Sequence, residues 1–175
     1  MNDATSSNQP YVVFGGTFDP IHSGHVSAIR LLLEKFCRVV IAPTAQNPWK
    51  NAPHATLKQR IEMVDLVLKA EKIDCSHNPD ESSVWLCTEP YVYAKDFVRF
   101  CQQHLTGELH WAVGEDSKDS VSSWKGWEAL NIPIVVVPIR IEVHSNDIRQ
   151  GDKAVHPALS SYIGAAGLYP RKNGS

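Results

Sequence analysis

The strongest constraint on the fold of this 175-residue chain lies near its start. Tyr11-Val-Val-Phe14 is a short apolar run that stops at Gly15-Gly16. From Gly24 to Phe36 the apolar side chains Val26, Ile29, Leu32, Leu33 and Phe36 recur at helical spacing. Arg38-Val-Val-Ile-Ala42 is a second apolar run, closed by Pro43. Short apolar runs bounded by Gly or Pro read as buried strands, and the 3.6-residue period reads as an amphipathic helix. A strand, a loop, a helix and a strand in that order predict a parallel pair joined by a right-handed crossover.

The same alternation continues. Residues 44–56 are rich in Pro, Asn and Ala and read as a loop. Leu57 to Ala70 has a helical pattern through Ile61, Val64 and Leu68. Ile73-Asp-Cys75 opens a third strand, and Ser83 to Thr88 alternates as a short edge strand does. Tyr91 to His104 reads as a helix, Leu109-His-Trp-Ala-Val113 as a strand ending at Gly114, and Ser123 to Leu130 as a short helix. Ile134-Val-Val-Val137 is a buried strand, Ser145 to Gln150 a helical turn, and Pro157 to Ala166 a closing helix. The expected fold class is α/β, an open parallel sheet with helices on both faces. There are no internal repeats and no interior linker. One domain over residues 11–170 is expected, with disordered tails at 1–10 and 171–175.

Composition narrows the function classes. A formal net charge of −2 argues against a general nucleic-acid coat or a membrane-surface patch. No apolar run nears the roughly 20 residues that span a bilayer. The first ten residues have no basic or apolar stretch of the signal-peptide kind. Cys37, Cys75, Cys87 and Cys101 form no CxxC pair and stand at no zinc spacing with a histidine. They read as free thiols of a cytoplasmic protein.

Polar clusters follow the apolar strands at 15–25, 43–50, 114–116 and 144–149. In an open parallel sheet these segments converge beyond the carboxyl ends of the strands, where ligands bind. In the first cluster, Gly15 and Gly16 let backbone approach a ligand closely. Pro20 stiffens the turn. His22 and His25 flank Gly24 at the start of a helix, where free N–H groups and the helix dipole attract phosphate. Neither GxGxxG nor GxxxxGK[ST] is present, so a dinucleotide fingerprint and a P-loop are both excluded. The spacing of His22 and His25 also permits a metal pair. No third protein ligand is evident, and Asp19 reaches only around the turn, so no protein-held metal is expected.

The string Phe14-Gly-Gly-Thr-Phe-Asp-Pro-Ile-His-Ser-Gly-His25 resembles the nucleotidyltransferase signature. Its Gly-Gly-Thr-Phe-Asp-Pro-Ile-His-x-Gly-His form is similar to the bacterial nicotinate-nucleotide adenylyltransferase family. The similarity runs over roughly 11–169. It includes Pro43 to Lys50, Arg60 and Met63, Gly114-Glu-Asp116 with Trp124 and Glu128, His144-Ser-Asn-Asp-Ile-Arg149, Tyr162-Ile163 and Gly167-Leu-Tyr169. The resemblance implies a Rossmann-like fold. It implies transfer of AMP from ATP to a pyridine mononucleotide in NAD biosynthesis, with pyrophosphate released and Mg²⁺ bound mainly through the ATP phosphates. By the same resemblance His22 and His25 bind and polarise the triphosphate, and backbone around Gly15, Gly16, Thr17 and Phe18 holds phosphate and adenosine. Lys50 supplies charge to phosphate. Gly114 and Asp116 position adenosine and its ribose, Ser145 caps a helix that meets the triphosphate, and Arg149 adds charge. Trp124 stacks on the pyridine ring, with Lys125 beside it.

Each of these side chains has a structural alternative. Lys50 reads equally as a solvated charge, Asp116 as a turn cap, Arg149 as a surface partner of Asp147 or Asp152, and Trp124 as a core residue. The partners expected are ATP and a mononucleotide, with no nucleic acid and no membrane, and a homo-oligomer is left open. The chain departs from the family at His144 and Asn146, where Ser and Thr are usual, at Lys125, where an aromatic is common, and in a short 140–144 segment. Tyr91 and Tyr93 stand where the family has Ser-Tyr-Thr. His144 and Asn146 fall in the triphosphate motif but still donate hydrogen bonds, and the shortened segment touches the acceptor more than ATP, so together the departures leave the reaction class standing and the acceptor open. Two further readings are therefore the same chemistry on another phosphorylated acceptor, and a non-catalytic nucleotide-binding module.

Overall fold

Strand β1 (Tyr11–Gly16) is apolar on both faces because it is covered on both. Phe14, Val12 and their even-numbered neighbours point to one side, Tyr11 and Val13 to the other, as the two-residue period of a strand requires. The structure is a computed structural model that describes residues 8–48, 51–138, 143–151 and 153–170. Both expected tails therefore lie largely outside the described residues, as do Lys50, Asp152 and most of the shortened 140–144 segment.

After β1 come α1 (Ser23–Leu33), β2 (Arg38–Pro43), α2 (Leu57–Ala70), β3 (Cys75–Ser76), β4 (Val84–Leu86) and α3 (Ala94–His104). They are followed by β5 (Leu109–Gly114), β6 (Ile134–Val137), α4 (Ser145–Gln150) and α5 (Ser160–Ala166). The sheet order is β3-β4-β2-β1-β5-β6, and every pairing is parallel. Val12, Phe14, Val39, Ile41, Val84 and Leu86 meet Ile29 and Leu32 of α1 and Val64, Val67 and Leu68 of α2. On the other face Val13, Val40, Trp85 and Trp111 meet Phe97, Val98 and Cys101 of α3. Each fully buried Ile or Leu contributes about 1.5–3 kcal/mol. That packing, not intrinsic propensity, holds an 11-residue helix such as α1.

Helix α2 begins where Thr56 Oγ1 accepts from Gln59 N at 3.2 Å and Gln59 Oε1 accepts from Thr56 N at 2.9 Å. This reciprocal cap is worth about 1 kcal/mol. It also sets the phase that carries Arg60 inward.

Four expectations need correction. Strand β4 lies between β3 and β2 and is fully buried, so β3 is the edge. In place of one helix over 123–130 there are two 3₁₀ turns, Lys118–Ser123 before it and Glu128–Leu130 at its end, with Gly126 at φ +74° between them. The third helix starts at Ala94 rather than Tyr91, since Tyr93 is extended and serves as its N-cap. The closing segment is a 3₁₀ turn, Pro157–Leu159, leading into α5. Among the described residues no helix is long and apolar enough to cross a membrane.

The chain moves outward from β1 through β2 and β4, then returns to place β5 on the other side of β1. The winding reverses between β1 and β5. The crevice outside their carboxyl ends, at Gly15-Gly16 and Gly114, is where this architecture binds ligands.

Candidate functional site

Two cavities open at that switch point. One is a groove of about 880 Å³ lined by Phe18, His22, His25, Asp116, His144, Ser145 and Arg149. The other is a smaller pocket of about 190 Å³ walled by Trp111, Trp124, Trp127, Tyr91 and Tyr93. Both include Phe14, Gly15, Gly16, Thr17, Gly114 and Ser117, so they adjoin across the β1 and β5 ends.

The histidine pair is built by helix capping. His22 is the N-cap of α1, and its Nδ1 accepts from Gly24 N at 3.1 Å. His25 returns the contact, its Nδ1 accepting from His22 N at 3.2 Å. The rings lie 3.8 Å apart between centroids, and Phe18 packs on His25 at 4.8 Å. Since each Nδ1 is an acceptor, the proton of each neutral ring sits on Nε2, which becomes a donor. Burial, then the charge of His144, pulls the His22 pKa down to about 4, with Asp147 acting the other way. Burial, then His22 and His144, holds His25 well below the usual imidazole range. At neutral pH the pair presents two uncharged Nε2–H donors rather than two cations.

The glycines differ in what they permit. A Cβ at Gly15 would stand 2.7 Å from the Trp111 ring and 2.8 Å from the Tyr91 hydroxyl. Gly15 therefore makes room for the pocket wall. A Cβ at Gly16 would press on the Phe18 ring at 3.2 Å. Phe18 itself adopts φ +50°, with its ring buried against Phe14 and His25. Thr17, Phe18, Gly114 and Asp116 all line the groove, and Asp116 is exposed there, accepting from Ser117 Oγ at 3.3 Å.

The chain's far end meets the same loop. Arg149 Nη1 donates to Asp19 O at 2.6 Å and stands 4.0 Å from the Asp19 carboxylate; Nη2 donates to Asn146 at 3.4 Å. The alternative pairing of Arg149 with Asp147 is not what forms. Ser145 needs correction as a cap. It is the first residue of α4, His144 is the N-cap, and the Ser145 hydroxyl donates to Pro20 O at 2.9 Å. It ties α4 to the histidine loop. Asp19 is likewise structural: its carboxylate accepts from His54 N at 2.8 Å, Ala55 N at 3.1 Å and Tyr169 Oη at 2.5 Å. Among the described residues no group of three or more His, Cys, Asp or Glu side chains is placed to hold a metal ion.

Trp124 is half-buried, edge-on to Trp111 and Trp127 at 6.0 and 5.4 Å, and faces the pocket. Lys125 stands over the Tyr93 ring, 5.4 Å from its centroid. Tyr91 is a buried wall whose hydroxyl donates to Ala42 O at 2.9 Å.

Sequence reasoning did not single out Trp111, Trp127, Lys95 or the clamp formed by Arg60. Arg60 is 1% exposed. Its Nε donates to Ala55 O at 3.1 Å, Nη1 to Thr17 O and Thr44 O at 2.7 Å each, and Nη2 to Ala45 O at 3.2 Å. One guanidinium thus fixes the loops after β1 and β2 and the entry to α2. Burial lowers its pKa, and the Asp19 charge opposes that.

Comparison with known proteins agrees with this architecture. The cytidylyltransferase-like family model matches residues 13–151. A Chlorobium phaeobacteroides protein named "Probable nicotinate-nucleotide adenylyltransferase" is 34% identical over 67% of this chain, and the match spans 60% of that relative's length. A Chlorobaculum parvum protein of the same name is 28% identical, with 90% of this chain and 97% of the relative covered. Plasmodium falciparum nicotinic acid mononucleotide adenylyltransferase complexed with NaAD superposes with TM-score 0.71 at 15% identity, over 93% of this chain and 98% of that one. That structure shares the Rossmann-like fold. The family match over the site-bearing residues identifies the chain as a member of the cytidylyltransferase-like family.

Proposed function

We propose that the chain transfers AMP from ATP to the 5′-phosphate of nicotinate or nicotinamide mononucleotide, a step of NAD biosynthesis, and releases pyrophosphate. The carrying observation is the pair of adjoining cavities: a long polar groove with two Nε2–H donors, and an aromatic pocket, meeting over Gly15–Thr17. The first suits a nucleoside triphosphate and the second a planar ring. Their junction is where an acceptor phosphate would face the α-phosphorus.

The acceptor phosphate is already a nucleophile, so the chain needs no Ser or Cys nucleophile. A phosphate oxygen attacks the α-phosphorus, the α–β bridge bond breaks, and pyrophosphate departs. Catalysis is alignment plus charge stabilisation. His22 and His25 donate to the phosphate oxygens on which charge builds. Arg149 adds positive charge at the groove while fixing Asp19. Gly16, Thr17 and Phe18 hold phosphate and adenosine, Gly114 and Asp116 the adenosine and its ribose. Lys50 is assigned to phosphate on the motif alone, and Ser145 acts through the Pro20 turn. Mg²⁺ enters with ATP as part of the substrate. Trp124 stacks the pyridine ring. The folding unit proposed is residues 11–170, and the proposed compartment is the ATP-rich cytoplasm.

The test is pyrophosphate release from Mg-ATP or Mg-CTP with nicotinate mononucleotide, nicotinamide mononucleotide and a panel of other phosphorylated acceptors. Turnover with a pyridine mononucleotide and ATP is expected. Turnover only with another acceptor or with CTP would move the chain elsewhere in its family. ATP binding without any turnover would make it a nucleotide-binding module.

A further inference from the structure

The small pocket carries an uneven charge. Its lining includes two lysines, Lys95 and Lys125, and no aspartate or glutamate. Lys95 sits on the first turn of α3 and Lys125 on the loop between the two 3₁₀ turns, so they reach the same lip from different elements. Gly126 lets them converge: a Cβ there would lie 3.1 Å from Lys95 Cδ and 3.9 Å from its Nζ. The Lys125 ammonium is held over the Tyr93 ring. Among the described residues neither lysine makes an ion pair with a carboxylate. A third polar group, the buried Thr44 hydroxyl, lines the pocket without a hydrogen-bond partner among the described residues. The walls are indoles set edge-to-face, a lining for a flat ring.

We propose that Lys95 and Lys125 are specificity-determining residues that select an acceptor whose planar ring carries a carboxylate, over the same acceptor carrying a neutral amide. The inference rests on the pyridine-mononucleotide reading given above. Two cations on one aromatic rim attract each other's counter-ion and repel each other. An anionic ring substituent neutralises that repulsion and accepts hydrogen bonds as one half of an ion pair; an amide oxygen accepts a hydrogen bond but brings no charge to offset the two cations. Neither lysine position needs to touch the reacting phosphates.

The experiment compares kcat/KM for nicotinate and nicotinamide mononucleotide in wild type, Lys95→Met, Lys125→Met and the double variant, with Mg-ATP saturating. The two acceptors differ only in carboxylate against amide, so contacts to their shared phosphate cancel in the ratio. The acid-to-amide ratio is expected to fall about tenfold in each single variant and further in the double, one lost charge-assisted contact each. Binding of each mononucleotide without ATP, followed by tryptophan fluorescence, is expected to show the same change in ratio. An unchanged ratio, with both acceptors weakened equally, would overturn the proposal and put the lysines on the phosphate. A wild type that binds and turns over neither mononucleotide would instead overturn the function reading, and this proposal with it.

Discussion

Replacing Arg60 with Met tests the physical logic of the rim most directly. Methionine fills similar volume and removes the charge. Four carbonyls lose their donor: Ala55 at 3.1 Å, Thr17 and Thr44 at 2.7 Å, and Ala45 at 3.2 Å. A buried acceptor left without a donor costs about 1–3 kcal/mol. The bonds to the Thr17, Thr44 and Ala45 carbonyls are only partly buried, so those acceptors recover water in part. The Ala55 carbonyl, paired with Arg60 in a fully buried bond, does not. The expected loss is therefore about 3–5 kcal/mol, the range for breaking a buried charged contact by removing one partner. For a domain of this size that lowers Tm by about 10 °C. Urea unfolding followed by tryptophan fluorescence measures it, with an unchanged slope confirming a pure stability change. Arg60→Lys keeps a charge but cannot reach four acceptors at once, so less than half the loss is recovered. The folded fraction of Arg60→Met should also turn over about a hundredfold more slowly, because the loops after β1 and β2 lose their set spacing. A loss below about 1 kcal/mol would refute the claim that this guanidinium holds the rim.

Other perturbations separate chemistry from folding. His22→Ala and His25→Ala should each slow pyrophosphate release about 10²–10³-fold, the cost of losing one preorganised donor. Their stability should fall only by about 1 kcal/mol, the value of a helix cap; activity that merely follows the folded fraction would make the histidines structural. Acid should destabilise the fold through His22. The ring stays neutral down to about 4 in the folded protein but binds a proton near 6.5 when unfolded. Stability present above pH 6.5 is thus lost as pH falls toward 4, by about 3 kcal/mol from His22. Urea midpoints at pH 7.5 and 4.5 should differ less in His22→Gln than in wild type, and an equal difference would contradict the assignment. Tyr169→Phe removes one donor from the buried Asp19 carboxylate and should cost about 2 kcal/mol in a thermal melt; no change in Tm would mean Asp19 is held by the His54 and Ala55 amides alone.

The parallel sheet was legible because its strands are short apolar runs with Gly or Pro at their ends. The limits of α2, β6 and α4 follow from Thr56-x-x-Gln59, a four-residue Ile-Val run and the Gly151 stop. The 123–130 segment was misread because apolar spacing does not reveal that Gly126 turns left-handed. The histidine pair was visible as a local motif, since capping is a contact between near neighbours. The clamp was not. Arg60 looks like one charge on an amphipathic helix, and its acceptors lie 5, 15, 16 and 43 residues away. Trp111 read as a core residue of a strand; only the register of β5 against β1 puts its ring beside Gly15. Lys95 looks like a solvated helix charge until Gly126 brings the neighbouring loop over it.

Asp19 has a consequence for how the molecule is made. Its partners His54, Ala55 and Tyr169 follow it by 35, 36 and 150 residues. Arg149 grips its carbonyl from 130 residues on. Synthesis runs from the amino end, so the ribosome completes the Asp19 turn early and the groups that fix it much later. A nascent chain halted before Tyr169 could already pair β1 with β2, yet would carry a loop whose central carboxylate has only part of its shell. Competence to use ATP should therefore appear late and abruptly during translation, when the segment bearing Arg149 and Tyr169 folds back onto a turn made about 150 residues earlier.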